Sequence, residues 1–224
     1  MKTVVQSTVT SVIGLVLVGL ALFWPAGTFD YWQAWAFVAV LFGLGGIYSV
    51  YLGVKNPEVL RRRMRTGPTA ETRPVQKGVH GGLYVMFTAL LIVSGFDRRF
   101  GLSRVPTAVS LCAIAVFAIA LSVTMVVVVQ NNYAAATITV EDGQTVVSTG
   151  LYGIVRHPMY TAALFLLVAL PFALGSYWAL VALIPLPFGL RARILDEEAA
   201  LTEELNGYRD YMQDVRYRLV PNVW

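Results

Sequence analysis

Two polar clusters flank one apolar stretch of this chain. The first is Gly150-Leu151-Tyr152-Gly153-Ile154-Val155-Arg156-His157-Pro158-Met159-Tyr160, and the second is Arg193-Ile194-Leu195-Asp196-Glu197-Glu198. Residues 161–190, between them, are almost wholly apolar. Ionisable groups at a membrane edge are expensive, so their presence there is by default a functional-site hypothesis. His157 precedes Pro158, whose ring disfavours helical geometry at the preceding residue and presents Arg156 and His157 on an extended step. Arg193 and Glu197 share a helix face and can pair. Each group also has a plainer use. Arg156 can be a topological anchor, His157 a hydrogen-bonded filler, and Met159 and Tyr160 part of an interface belt. Arg193 and Glu197 can form an ordinary solvated pair. The functional reading gains from the apolar stretch, which as a hairpin returns the chain to the same side and brings both clusters to one pocket.

The elements that must position these residues follow from composition. The chain has 224 residues, 57% hydrophobic and 13% charged, with a mean hydropathy of +0.64. A soluble domain carries about 25% charged residues, so the chain reads as a polytopic membrane protein. Apolar runs at 4–23, 32–54, 79–96 and 106–129 each approach the roughly 20 residues that cross a bilayer. The run at 160–190 is too long for one span and too short for two, with Gly175-Ser176 at its midpoint where a turn is cheap. It is expected to be a helical hairpin, kinked or ended by Pro171, Pro185 and Pro187. The first run lacks a small-x-small cleavage site before Trp24-Pro25 and is read as a span, not a signal peptide.

Residues 55–77 hold Lys55, Arg61, Arg62, Arg63, Arg65, Arg73 and Lys77 against Glu58 and Glu71, which predicts a cytoplasmic loop and both termini cytoplasmic. Arg98, Arg99 and Arg104 fall on the opposite side and work against that scheme. Net charge +4 reflects these topological charges, and no basic face combined with stacking aromatics indicates nucleic-acid binding. Thr137-Ile138-Thr139-Val140 and Thr145-Val146-Val147 flank Asp142-Gly143 and predict a small cytoplasmic β-hairpin. Leu201, Leu205, Tyr208, Met212 and Val215 form an apolar stripe, so residues 191–218 are expected to be a cytoplasmic tail helix with a break at Gly207. The expected fold is thus all-α in a single membrane domain over 1–224. It comprises four transmembrane helices within 1–130 and a second half, 131–224, with a hairpin at 159–190.

Other chemistries are excluded by pattern. The two histidines, His80 and His157, are far apart, and no ligand-spaced cluster predicts a metal site. There is no dinucleotide fingerprint, Walker lysine or nucleophile elbow. The single cysteine, Cys112, lies inside a span and has no disulfide partner. His80 opens the third span beside Gly78, Gly81 and Gly82, and is read as a packing or interface residue.

Taken together, Gly150-x-Tyr152, Arg156-His157-Pro158-x-Tyr160, Arg193-x-x-x-Glu197-Glu198-x-x-Leu201 and Gly207-Tyr208-x-x-Tyr211-x-x-x-Val215-Arg216-Tyr217-Arg218-Leu219-x-Pro221 resemble the integral-membrane methyltransferases. That family is typified by isoprenylcysteine carboxyl methyltransferase and the phospholipid N-methyltransferases. Ala162 stands where the family has glycine, and Leu151 where it often has proline. The resemblance implies S-adenosylmethionine held in a cytoplasm-facing pocket of residues 131–224, a lipid or lipophilic acceptor reached from the bilayer, and a multi-pass location of bacterial plasma-membrane type. It implies cofactor contacts from Tyr152, Arg156, His157, Tyr160, Glu197, Glu198 and Leu201, with Arg193 and Glu197 nearest the transfer. The acceptor atom is left open between carboxylate, amine and thiol, as is the oligomeric state. Two other classes remain alongside it. A membrane reductase related to sterol reductases needs an NADPH pocket, and a non-enzymatic scaffold tolerates loss of His157 and Glu197.

Overall fold

The computed structural model describes residues 2–64, 73–133 and 143–224. Its helices are α1 (Lys2–Ala26), α2 (Trp32–Lys55), α3 (Pro57–Met64), α4 (Pro74–Phe100), α5 (Thr107–Gln130), α6 (Pro158–Ala173), α7 (Leu186–Glu204) and α8 (Tyr208–Asp214). Short 3-10 turns cover Gly150–Gly153 and Trp178–Leu183. Proline opens α3, α4 and α6 and sits in the first turn of α7, where its missing N–H has no intrahelical acceptor to lose. Val12, Val16, Leu17 and Leu20 on α1, and Val116, Ile119 and Val126 on α5, face outward and are exposed. A bilayer is the solvent that such faces require.

The core forms where the helices meet. Leu22, Phe37, Leu90, Leu91, Phe117 and Leu170 belong to one buried cluster, with the Phe37 and Phe117 rings edge to face at 5.2 Å. At Gly95 an added Cβ would lie 2.6 Å from the Leu22 carbonyl oxygen. Only glycine therefore lets α4 pass this close to α1.

The two ends of the bundle carry different polar groups. At one end the Tyr31 hydroxyl donates to the Leu174 carbonyl at 2.6 Å. The buried Asp97 carboxylate accepts from the Ser103 N–H at 2.7 Å and from the Ser103 and Ser176 hydroxyls. Arg98, which works against the charge scheme, donates to the Asp30 carbonyl at 2.8 Å. At the other end Asn56 and Arg62 bond Asn132, both at 3.2 Å, and Arg73 reaches Asp196.

Three expectations need correction. Among the described residues, five elements are long and apolar enough to cross a membrane, and the fifth is Trp178–Glu204. The second hairpin arm and the first half of the expected tail are therefore one element, because nothing after Pro187 interrupts α7. The first arm, α6, has 16 residues, about 24 Å of helix, which falls short of a roughly 30 Å hydrocarbon core. The turn itself falls at Gly175, with φ +71°, as the sequence indicates. The tail over 191–218 is likewise not one element, though its break falls at Gly207 as expected. The helix stops at Glu204, Gly207 adopts φ +83°, α8 follows, and the chain beyond Asp214 is irregular.

The third correction concerns the β-hairpin. Its first arm, 137–140, and residues 141–142 lie outside the described residues. Thr145-Val146-Val147 is described and is not a strand, and there is no strand among the described residues. Val146 packs instead against the cluster of Leu205, Tyr208, Tyr211 and Val215. Its β-branched neighbours were a sign of half-burial, which a loop can also supply.

Candidate active site

The N-terminus of α6 is fixed by the C-terminal segment. The Arg156 N–H donates to the Tyr217 carbonyl at 2.8 Å and the His157 N–H to the Arg218 carbonyl at 2.9 Å. His157, at φ −124° and ψ 62°, is the non-helical step that Pro158 demands. Around it lies a clamp on Glu198, whose side chain is only 5% exposed. Arg156 Nε donates to Glu198 Oε1 at 2.8 Å and His157 Nε2 to the same oxygen at 3.2 Å. Arg218 donates to Oε2 through Nε at 2.9 Å and approaches it through Nη2 at 2.8 Å. Arg156 Nη1 also caps the Val215 and Arg216 carbonyls, at 3.0 and 3.1 Å. One carboxylate thus ties α7, the α6 N-terminus and the C-terminal segment together.

One residue earlier on α7, Glu197 faces elsewhere. The Tyr160 hydroxyl donates to Glu197 Oε2 and accepts from Arg193 Nε at 2.7 Å. The Arg193 guanidinium also lies over the Tyr160 ring, 5.6 Å from its centroid. From α4, Gln76 Oε1 accepts from Arg193 Nη1 at 2.6 Å, and His80 Nδ1 lies 3.2 Å from the same nitrogen. Gln76 Nε2 donates to Asp196 Oδ2 at 2.6 Å, and Asp196 receives both Nε and Nη2 of Arg73 at 2.9 and 2.8 Å.

A cavity of about 360 Å³ runs past this network. Helix direction divides its lining. Leu83 on α4, Leu167 on α6 and Leu186 and Leu190 on α7 lie deep between the spans, whereas Gln144, Tyr152, Leu201, Tyr208 and Tyr211 lie toward the end of the bundle that carries α3 and α8. Tyr160, Arg193, Glu197 and His80 line it between these two compartments. Burial pushes the Tyr152 phenol up to about 12, so it remains a neutral hydroxyl. The Tyr211 hydroxyl donates to the Tyr152 carbonyl at 2.7 Å. The Tyr208 hydroxyl is buried with no hydrogen-bond partner among the described residues. An unsatisfied buried donor of this kind is uncommon and marks a place where a ligand or water completes the bonding.

The residues singled out from the sequence thus separate. Arg156, His157, Tyr152, Tyr160, Arg193, Glu197 and Leu201 line one cavity, while Glu198 stands behind its wall. Gln76 was not singled out, Arg73 and Asp196 were given no role at the site, and His80 was read as a packing or interface residue. Gln76, Arg73 and His80 are isolated polar residues near the start of α4, and Asp196 lies in mid-α7 beside the glutamates that drew attention instead. Ala162 and Leu151, the departures from the family pattern, line a separate apolar groove between α5 and α6 and do not border this cavity.

Residues 111–203 match the family model of the isoprenylcysteine carboxyl methyltransferases (ICMT). No curated protein matches the chain. The matched stretch begins in α5 and ends in the last turn of α7, so it contains the R-H-P-x-Y and R-x-x-x-E-E clusters with the hairpin between them. The chain is thus similar to that family over less than half of its length, and its five apolar elements among the described residues are long enough to cross a membrane. Gln76, His80 and Arg73 lie outside the match.

Proposed function

We propose that this ICMT-like chain transfers a methyl group from S-adenosylmethionine to a lipophilic acceptor at the cytoplasmic end of the bundle. The observation that carries this reading is the single cavity, polar at the inner end and apolar between the spans, with Arg193, Tyr160 and Glu197 at the junction. Its volume lies within the roughly 300–1,000 Å³ of ligand pockets. The inner compartment fits the cofactor's chemistry: a carboxylate on Glu197 for a cationic group, aromatic walls from Tyr152 and Tyr211, Leu201 as an apolar wall, and the orphaned Tyr208 hydroxyl as a polar contact. When bound, S-adenosylmethionine supplies an electrophilic methyl carbon on a cationic sulfur.

The chain's own residues position and shield. Arg156 and His157 shape the cavity wall, held there by Glu198, whose contribution to cofactor binding acts through the clamp. Tyr160 fixes the carboxylate of Glu197 on one side and the guanidinium of Arg193 on the other. Arg193 orients the acceptor's polar head, and the leucines of α4, α6 and α7 receive its apolar part. Holding two partners from different phases in alignment is the main catalytic device available here, and such positioning is worth several orders of magnitude in rate.

The basic residues Lys55, Arg61, Arg62 and Arg63 at the cavity's end of the bundle support a cytoplasmic placement for it and for both termini. A cysteine placed at Gln144 should then resist an impermeant thiol reagent in intact cells; labelling would reverse the topology. Calorimetry of the purified protein tests the function. S-Adenosylhomocysteine should bind and NADPH should not. Binding of NADPH alone would move the chain to the reductases, and binding of neither would leave a scaffold.

A further inference from the structure

We propose that Gln76 is the positioning residue for Arg193, oriented by the Asp196–Arg73 pair, so that α4 sets the guanidinium geometry at the junction. The inference rests on the methyltransferase reading for its functional meaning, but its geometry stands alone. Gln76 is 0% exposed. A buried polar side chain needs its hydrogen-bonding capacity filled, and here each end of the amide has one kind of partner. A guanidinium can only donate and a carboxylate can only accept. The 2.6 Å contact with Arg193 Nη1 therefore fixes the amide oxygen toward Arg193, and the 2.6 Å contact with Asp196 fixes the amide nitrogen toward that carboxylate.

The relay has a direction. Arg73 holds Asp196 through two bonds, Asp196 holds the Gln76 amide, and Gln76 presents its oxygen to Arg193. Hydrogen bonds in such a chain polarise one another. Tyr160 meets Arg193 at Nε, so α6 and α4 grip different nitrogens of one planar group. With one grip alone the guanidinium can swing about its last torsions; with both, its plane is set. The second grip comes from outside residues 111–203, the stretch that matches the family. Its cost is a buried polar chain with a charged pair at its outer end, which a merely packed helix contact does not need.

Exchanging the two side chains tests the directionality. Gln76→Leu removes both bonds and the weaker 3.4 Å donation from Gln76 Nε2 to the Arg193 carbonyl. Gln76→Glu alone sets a carboxylate against Asp196. The double variant Gln76→Glu with Asp196→Asn exchanges amide and acid: the new carboxylate accepts from Arg193, and the new amide donates to it while still accepting from Arg73. The readout is the exchange rate of the Arg193 guanidinium protons in arginine-15N-labelled full-length protein, with the signals assigned by their loss in Arg193→Lys. Melting temperature and S-adenosylhomocysteine affinity are measured on the same samples. Losing a charge-assisted bond should raise the exchange rate about tenfold or more in Gln76→Leu, and repulsion from Asp196 should displace the carboxylate of Gln76→Glu from Arg193 and raise the rate in the same direction. The double variant should return to within about threefold of the native rate, with S-adenosylhomocysteine affinity within about threefold throughout.

Native exchange in Gln76→Leu would overturn the proposal, since the other contacts of Arg193 would then suffice to hold it. So would failure of the double variant to restore protection, which would reduce Gln76 to a packing role. A parallel loss of S-adenosylhomocysteine affinity would also overturn it, by moving Gln76 into cofactor binding or the fold. Absence of S-adenosylhomocysteine binding by the native protein would instead sink the methyltransferase reading, while the exchange rates still decide whether Gln76 holds Arg193.

Discussion

Glu197 and Glu198 are adjacent on α7, yet they belong to two different regions. Glu198 sits in a closed clamp, its carboxylate shared by Arg156, His157 and Arg218. Glu197 borders the cavity and is held by the neutral Tyr160 hydroxyl. One residue step on a helix rotates a side chain by about 100°, enough to send one carboxylate into the wall and the other to the cavity. The clamp is an investment in shape, since a desolvated carboxylate ringed by cations adds little beyond its own desolvation but is costly to break. The junction keeps charge beside open volume, where it can act on something that binds. An acidic pair in a motif need not be a pair of equivalent ligands.

The comparison breaks most visibly at Glu198. Glu198→Gln leaves buried guanidinium groups uncompensated, and truncating one partner of a buried pair costs about 3–5 kcal/mol. The expected result is a large fall in melting temperature in detergent, with ligand binding lost as a consequence. Native stability would show the clamp to be dispensable. The next effect belongs to Arg193. Arg193→Lys cannot reproduce a planar group gripped at two nitrogens. Methyl transfer to a small thiol such as 2-mercaptoethanol should therefore fall on the order of a hundredfold, with S-adenosylhomocysteine affinity within a few-fold. Equal turnover would make Arg193 structural. The smallest effect is expected at Tyr208. Tyr208→Phe removes an unsatisfied buried hydroxyl, so stability should hold or rise by about 1 kcal/mol. S-Adenosylhomocysteine affinity should fall several-fold, and unchanged affinity would remove the hydroxyl from the ligand's contacts.

Much of this arrangement is legible in the sequence because its signals are local. Gly175-Ser176 within an apolar run locates the turn, Pro158 fixes the extended step at His157, and the spacing of Arg193 and Glu197 places them on one face. The break expected at Gly207 is where the backbone turns at φ +83°, but the apolar stripe from Leu201 to Val215 did not show that the helix ends at Glu204 and that the chain is irregular beyond Asp214. Periodicity reports which faces are buried, and two short packed segments can bury the same face as one helix. Gln76 and His80 were illegible for a different reason. Their contacts with Arg193 span 117 and 113 residues, and the packing of α4 on α7 leaves no short-range pattern. Glu197 and Glu198 were separable only once α6 and the C-terminal segment had fixed which side of α7 faces the wall.

The central claim is that Glu197 serves a ligand while its neighbour serves the fold. Calorimetric titration of Glu197→Gln with S-adenosylhomocysteine, on protein whose melting temperature is measured in the same preparation, tests it most directly. The account predicts a melting temperature close to native and an affinity reduced at least about tenfold, the loss of one charge-assisted contact. Native affinity in that variant would contradict it.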